Sequence, residues 1–193
     1  MTSDEALAKL MEGNFRFRSG NGTAFRYQPS DLSKLARGQK PVAAILACSD
    51  SRVAPNVIFD QPLGALFACR VPGNVASESA RWMAEMAVGE LGAPLVLVVG
   101  HSGCLAVTGV LEGKAAWMSG TLKMEISGAI NAARAVRKGD LLRVAVEQNA
   151  LRARDALVLQ CSSVSAGIRK GTCRCEAAVY EMETGEVRFF EPA

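Results

Sequence analysis

Two short stretches of this chain, Val42–Ala47 and Leu95–Val99, are apolar at every position. A strand with one wet face alternates polar and apolar side chains, so uninterrupted runs of this length fit strands buried on both faces of a parallel sheet. The sequence between them supplies the rest of such a unit. Ala65–Arg70 is a further strand candidate, and Ser77–Leu91 carries a helical pattern closed by Gly92 and Pro94. Strands alternating with helices predict an α/β fold, with a central, mostly parallel β-sheet flanked by helices. In sheets of this kind, ligands collect in the crevice beyond the carboxyl ends of the strands. Cys48 directly follows the first apolar run, while His101 and Cys104 follow the second.

The remaining elements fit one domain over residues 1–193, with a helical N-terminal arm over 1–40 and an α/β core over 41–193. Thr2 and Glu5 form a capping-box pattern ahead of Leu7, Leu10, Met11 and Phe15, which recur at the spacing of an amphipathic helix. After a loop over 20–29, a short helix is predicted from Ser30 or Asp31 to Gly38. Gly103 closes a tight turn and Cys104 enters a helix running to Leu111; further helices are predicted near Ser127–Lys138 and over Leu141–Cys161. Arg174–Met182 and Glu186–Phe190 read as a hairpin around Glu183-Thr184-Gly185. The chain's 193 residues, 49% of them apolar, suffice for one sizeable core and are too few to argue for two.

Charge and patterning narrow the function classes. The net charge of +3 is dispersed, and the run Arg134–Lys138 is short and mixed with alanine, as on a solvated helix face. No basic stripe interleaves with aromatics, which argues against nucleic acid as a partner. No apolar run reaches the length of about 18 residues that a membrane span needs, and Asp4 and Glu5 stand where a signal peptide would be positive. The expectation is a cytoplasmic protein with no membrane partner. Six cysteines without a CxxC motif disfavour both a redox centre and a disulfide scaffold.

His101 is the only histidine, and it stands three residues before Cys104 in GHSGC. Thiolate sulfur and imidazole nitrogen are ligands that Zn²⁺ prefers, and three protein ligands leave one tetrahedral position for water, as in a catalytic site. Cys48, His101 and Cys104 therefore point to metal-assisted hydration or hydrolysis. Cys69, Cys161, Cys173 and Cys175 lie in apolar or strand-like stretches and read as small buried hydrophobes. Cys173 and Cys175 would share one strand face, but no other ligand stands near them in sequence.

CSDSR followed by GHSGC resembles the β-class carbonic anhydrases, whose signature is Cys-x-Asp-x-Arg with a later His-x-x-Cys. The likeness extends to the leader EALAKLMEGNFRF, to GQKPVAAILACSDSRVAPNVIFDQPLGALFACRVPGN, and to the closing AAVYEMETGEVRFF. The resemblance implies one zinc ion per subunit, held by Cys48, His101 and Cys104, and a catalytic dyad of Asp50 and Arg52. It implies reversible hydration of carbon dioxide to bicarbonate and a proton by attack of zinc-bound hydroxide. Asp50 would accept a hydrogen bond from that water, or swing onto the metal as a fourth ligand in a closed state. Gln39 is implied as a donor to substrate, Phe67 as a wall of the pocket, and the Gly73 amide region as part of its lining. The family also implies a homodimer or tetramer in which the N-terminal helix packs on a neighbour, although packing within one subunit fits the leader nearly as well. The position of Arg70 belongs to a bicarbonate regulatory site in some relatives. Two alternatives share the ligand set: a hydrolase of carbonyl sulfide or carbon disulfide, and a non-catalytic zinc-binding relative.

Three positions depart from the commoner family pattern. Leu105 follows Cys104 where glycine is usual, Met86 replaces a tyrosine, and Pro72 stands in RVPGN where alanine is commoner. Leu105 is expected to narrow the pocket or press on the helix start. Two thiolates and a neutral imidazole cancel the charge of Zn²⁺, so such a site acidifies its water less than a three-histidine site, where that pKa is about 7. With His101 committed to the metal, no histidine remains to carry protons near neutral pH. Turnover should therefore rise with the concentration of external buffer; a stopped-flow series in which the rate stays flat as buffer is raised contradicts this.

Overall fold

The computed structural model describes residues 1–136 and 139–190. Its centre is a five-stranded sheet of order β2-β1-β3-β4-β5, built from β1 (Ala43–Ala47), β2 (Leu66–Arg70), β3 (Leu95–His101), β4 (Arg174–Tyr180) and β5 (Val187–Phe189). The first four strands run parallel, and only β5 is antiparallel, paired with β4 through the hairpin. Every residue of β1 and of β3 is buried, as the unbroken apolar runs require. β3 runs two residues further than the apolar run because Gly100 and His101 continue the ladder, opposite Val179 and Tyr180 of β4.

Helices cover both faces. Ala43, Ile45 and Ala47 of β1 face a layer containing Ala6 and Leu10 of α1 (Ser3–Arg18), together with Ile58 and Phe59 from the end of α3 (Pro55–Ile58). Ala44 and Leu46 face α4 (Glu78–Gly89), α7 (Leu141–Gln160) and α8 (Ser162–Arg169). The segment expected as an arm thus contributes α1 to the chain's own core, while Met11 and Phe15 remain exposed on its outer side. The capping box at Thr2 and Glu5 is formed.

Several boundaries differ from the sequence reading for local reasons. α2 spans Pro29–Leu35, one to two residues early, because Pro29 supplies a preset helical φ at the first turn and the Gln28 N–H donates to Asp31. α5 is Leu105–Leu111, with Cys104 as its N-cap. α6 spans Gly120–Val136, starting seven residues before Ser127; the expected continuation to Lys138 lies outside the described residues. α3 and α8 have no counterpart in the sequence reading: the first is a single turn, and the second starts at Ser162, directly after the extended Cys161 that ends α7. Among the described residues, no helix is long and apolar enough to cross a membrane.

A polar tie also holds α1 to the loop after α3. Asp60, 6% exposed and with φ of 45°, accepts from Arg16 Nε at 2.5 Å, from the Thr23 N–H at 2.8 Å and from Thr23 Oγ1 at 2.8 Å. Burial alone would raise its pKa, but the bonds from Arg16 and Thr23 outweigh that and hold the carboxyl below its ordinary value. A carboxyl depressed on folding adds stability above its unfolded pKa, about 3.9, and loses it as pH falls through the folded value. Asp60→Asn, which keeps the shape and tolerates the positive φ, should lower stability by about 1–2 kcal/mol at neutral pH. That difference should shrink toward zero in acid; urea unfolding of both proteins across the pH range measures it.

Candidate metal centre

The parallel register sets Ala47 of β1 opposite Val99 of β3, so both strands end at the same edge, with Cys48 after one and His101 closing the other. Gly103, at φ 62°, turns the chain back so that Cys104 returns toward that edge before α5 begins. The ligand atoms of Cys48, His101 and Cys104 all lie within 4.8 Å of one another, and all three residues are buried. Among the described residues they are the one such group.

The donor chemistry fits a metal ion. His101 is 0% exposed, and its Nδ1 lies 3.0 Å from the Ser102 carbonyl, which can only accept. Nδ1 therefore carries the hydrogen, and the neutral ring offers the Nε2 lone pair toward the group. Nε2 has no hydrogen-bond partner. Leaving a buried polar atom unpartnered costs about 1–3 kcal/mol, which a coordinated ion removes. The thiols behave correspondingly. Bonds from Cys104 foremost, and from the backbone N–H groups of Asp50 and Gly73, pull the Cys48 thiol below its ordinary value against the effect of burial. Cys104, sharing the proton of the pair and buried beside the Cys48 charge, is pushed up. The four other cysteines are all raised by burial, Cys161 and Cys173 to about 11, and stay neutral as expected of small core residues.

Asp50 lies outside the close ligand group, because Arg52 engages its carboxylate. Arg52 Nε donates to Oδ1 at 2.9 Å, Nη2 to Oδ2 at 2.8 Å, and the Arg52 backbone N–H to Oδ1 at 3.0 Å. The guanidinium holds the Asp50 carboxyl well below the usual carboxylate range. Arg70 clamps the same loop from β2, with Nε donating to the Cys48 carbonyl at 3.0 Å and Nη2 to the Asp50 carbonyl at 2.5 Å. Sequence gave Arg70 no such role, since backbone carbonyls as acceptors leave no pattern in residue types. A cavity of about 760 Å³ opens beside Arg52, Ser102 and Gly103 and reaches Glu181 and Met182.

The three residues suggested as substrate contacts fare differently. Gly73 is brought to the centre: its N–H donates to Cys48 Sγ at 3.4 Å. Gln39 is exposed and precedes β1, so the length of that strand, about 17 Å at the usual rise, separates it from Cys48. Phe67 pairs with Ala44 on the edge strand β2 and packs against the layer that includes α4, not against the ligand group. Neither Gln39 nor Phe67 joins the centre within this chain. Leu105 is 67% exposed and does not line the cavity beside Arg52.

The carbonic anhydrase family model matches residues 43–187. Carbonic anhydrase 2 of Mycobacterium tuberculosis is 43% identical over 117 residues, covering 61% of this chain and 55% of that protein, so the chain spans little more than half of its length. The carbonic anhydrase of Synechocystis sp. is 29% identical over 200 residues, covering 96% of this chain and 71% of the relative. Among solved structures, the β-carbonic anhydrase CcaA superposes with a TM-score of 0.74 at 26% identity, covering 96% of this chain and 95% of the other. CafA of Aspergillus fumigatus gives 0.73 at 24% identity, covering 98% and 91%, a likeness of fold.

If the buried group holds zinc, elemental analysis of purified protein should find about one equivalent per chain. Cys48→Ser, His101→Ala and Cys104→Ser should each lose it, and Cys173→Ser should not.

Proposed function

The chain belongs to the β-carbonic anhydrase family, and from that premise we propose that it catalyses the reversible hydration of carbon dioxide to bicarbonate and a proton, using one zinc ion per subunit. The observation that carries this reading is the buried Cys48, His101 and Cys104 group beside a carboxylate already fixed by Arg52. Bound there, zinc would supply the Lewis acidity that makes a nucleophile of water near neutral pH.

The protein's own groups then have separable tasks. A carboxylate offers about four acceptor positions. Arg52 fills three in this arrangement, two on Oδ1 and one on Oδ2, so one remains on Oδ2 to accept from the attacking water and orient its lone pair. Because Arg52 stabilises the ionised form, Asp50 orients the water and does not store its proton. The proton must leave by another carrier, in keeping with a site that has no second histidine. Swinging Asp50 onto the metal would break all three bonds to Arg52, so the observed pairing favours the open arrangement. The same proposal extends to a homodimer or tetramer, supported by the exposed apolar side chains Met11, Phe15, Val57 and Leu63 on and near α1 and α3.

Stopped-flow assays with carbon dioxide and with carbonyl sulfide, on zinc-loaded protein, test the reading. Carbon dioxide should be hydrated, and Asp50→Asn should lower kcat/KM by about 10- to 100-fold with zinc retained. Turnover of carbonyl sulfide alone, or full activity in Asp50→Asn, would overturn it.

A further inference from the structure

We propose that Asn149 is a positioning residue for the metal centre, holding the backbone at Gly73 so that the Gly73 N–H stays aimed at the Cys48 thiolate. The inference rests on the reading of Cys48 as a zinc ligand. Asn149 is 4% exposed on a stretch of α7 whose other buried residues, Val144, Ala145, Val146, Ala150 and Ala153, are all apolar. A buried amide is unfavourable unless it is bonded. Its Nδ2 donates to the Gly73 carbonyl at 2.6 Å, across 76 positions of sequence.

Gly73 is where that bond has leverage. It sits in a single 3₁₀ turn (Pro72–Asn74) with φ 65° and ψ 19°, a left-handed backbone that continues into Asn74 at φ 44°, without a strand ladder to fix it. The space around it is nearly closed: a Cβ there would meet Ile126 Cδ1 at 3.1 Å and Ala106 Cβ at 3.3 Å. One flanking peptide donates to Cys48 Sγ, and the other accepts from Asn149. With the carbonyl-side peptide anchored, only the Gly73 φ and ψ can turn the other, and the Ile126 and Ala106 side chains packed against Gly73 restrain them. An N–H donating to a metal thiolate withdraws electron density from sulfur, and hydrogen bonds to ligands tune the metal they bind. Without Asn149, Cys48 becomes the more strongly donating ligand and the metal the weaker Lewis acid.

The test uses protein with cobalt in place of zinc, compared with Asn149→Leu, which has similar bulk and no donor. Both should bind one equivalent of cobalt, and the variant's thiolate-to-cobalt absorption should move to longer wavelength. In the zinc forms, kcat should fall about 10- to 100-fold with KM little changed. An unmoved absorption band in a folded, cobalt-loaded variant would overturn the inference and reduce Asn149 to a packing residue. Failure of the wild-type protein to bind cobalt would instead overturn the metal reading, and this inference with it. Should the variant not fold, hydrogen exchange in the metal-loaded wild-type protein decides: slow exchange at both the Gly73 amide and the Asn149 side-chain amide is expected, and fast exchange at either overturns the proposal.

Discussion

Parallel pairing of β1 with β3 in one register is the constraint on which the rest of this structure depends. With Ala47 opposite Val99, the two central strands end side by side, and the residues that leave them are Cys48 and the turn around His101. A shift of one residue would reverse which side chains face each layer of the core, and both faces here are packed with apolar helices. Burial on both faces therefore fixes the register, and the register fixes which ligand atoms can meet.

Around the meeting point, polar groups, both donors and acceptors, hold the residues of the site and the loop that carries them. The Ser102 carbonyl sets the His101 tautomer, Arg70 holds the carbonyls of Cys48 and Asp50, and Arg52 holds the Asp50 carboxylate. Each contact constrains a rotation that the apolar core leaves free. The centre is thus oriented by polar bonds and enclosed by apolar ones, which lets a buried site keep two sulfurs and a ring nitrogen pointed at a common spot.

The strands that carry the site were legible because β1 and β3 are buried throughout, and that state writes itself as continuous apolar runs. The Cys48, His101 and Cys104 group was legible because His101 and Cys104 stand three residues apart and all three follow the ends of apolar runs. What stayed hidden has a common cause. α8 begins one residue after α7 ends, and no side-chain cap marks its start. Gln39 and Phe67 lie near the site in sequence terms, yet the direction of β1 carries one to the far edge and the packing of edge strand β2 turns the other toward α4. Arg70 and Asn149 act on backbone carbonyls, which every residue has, so their partners could not be read from residue types.

By itself the sequence determined the fold class, the two central strands, the candidate metal group and the presence of a carboxylate and guanidinium two residues apart, because all of these follow from side-chain chemistry and local periodicity. Only the tertiary structure decided that Nε2 is the free nitrogen of His101, that Asp50 is bonded to Arg52, that α1 belongs to the chain's own core, and that Gly73 reaches Cys48 and Asn149 reaches Gly73. The first two are side-chain conformations of near neighbours, which a local pattern leaves open, and the last two depend on contacts between residues distant in the chain, which are fixed by how the layers pack rather than by any one segment's pattern.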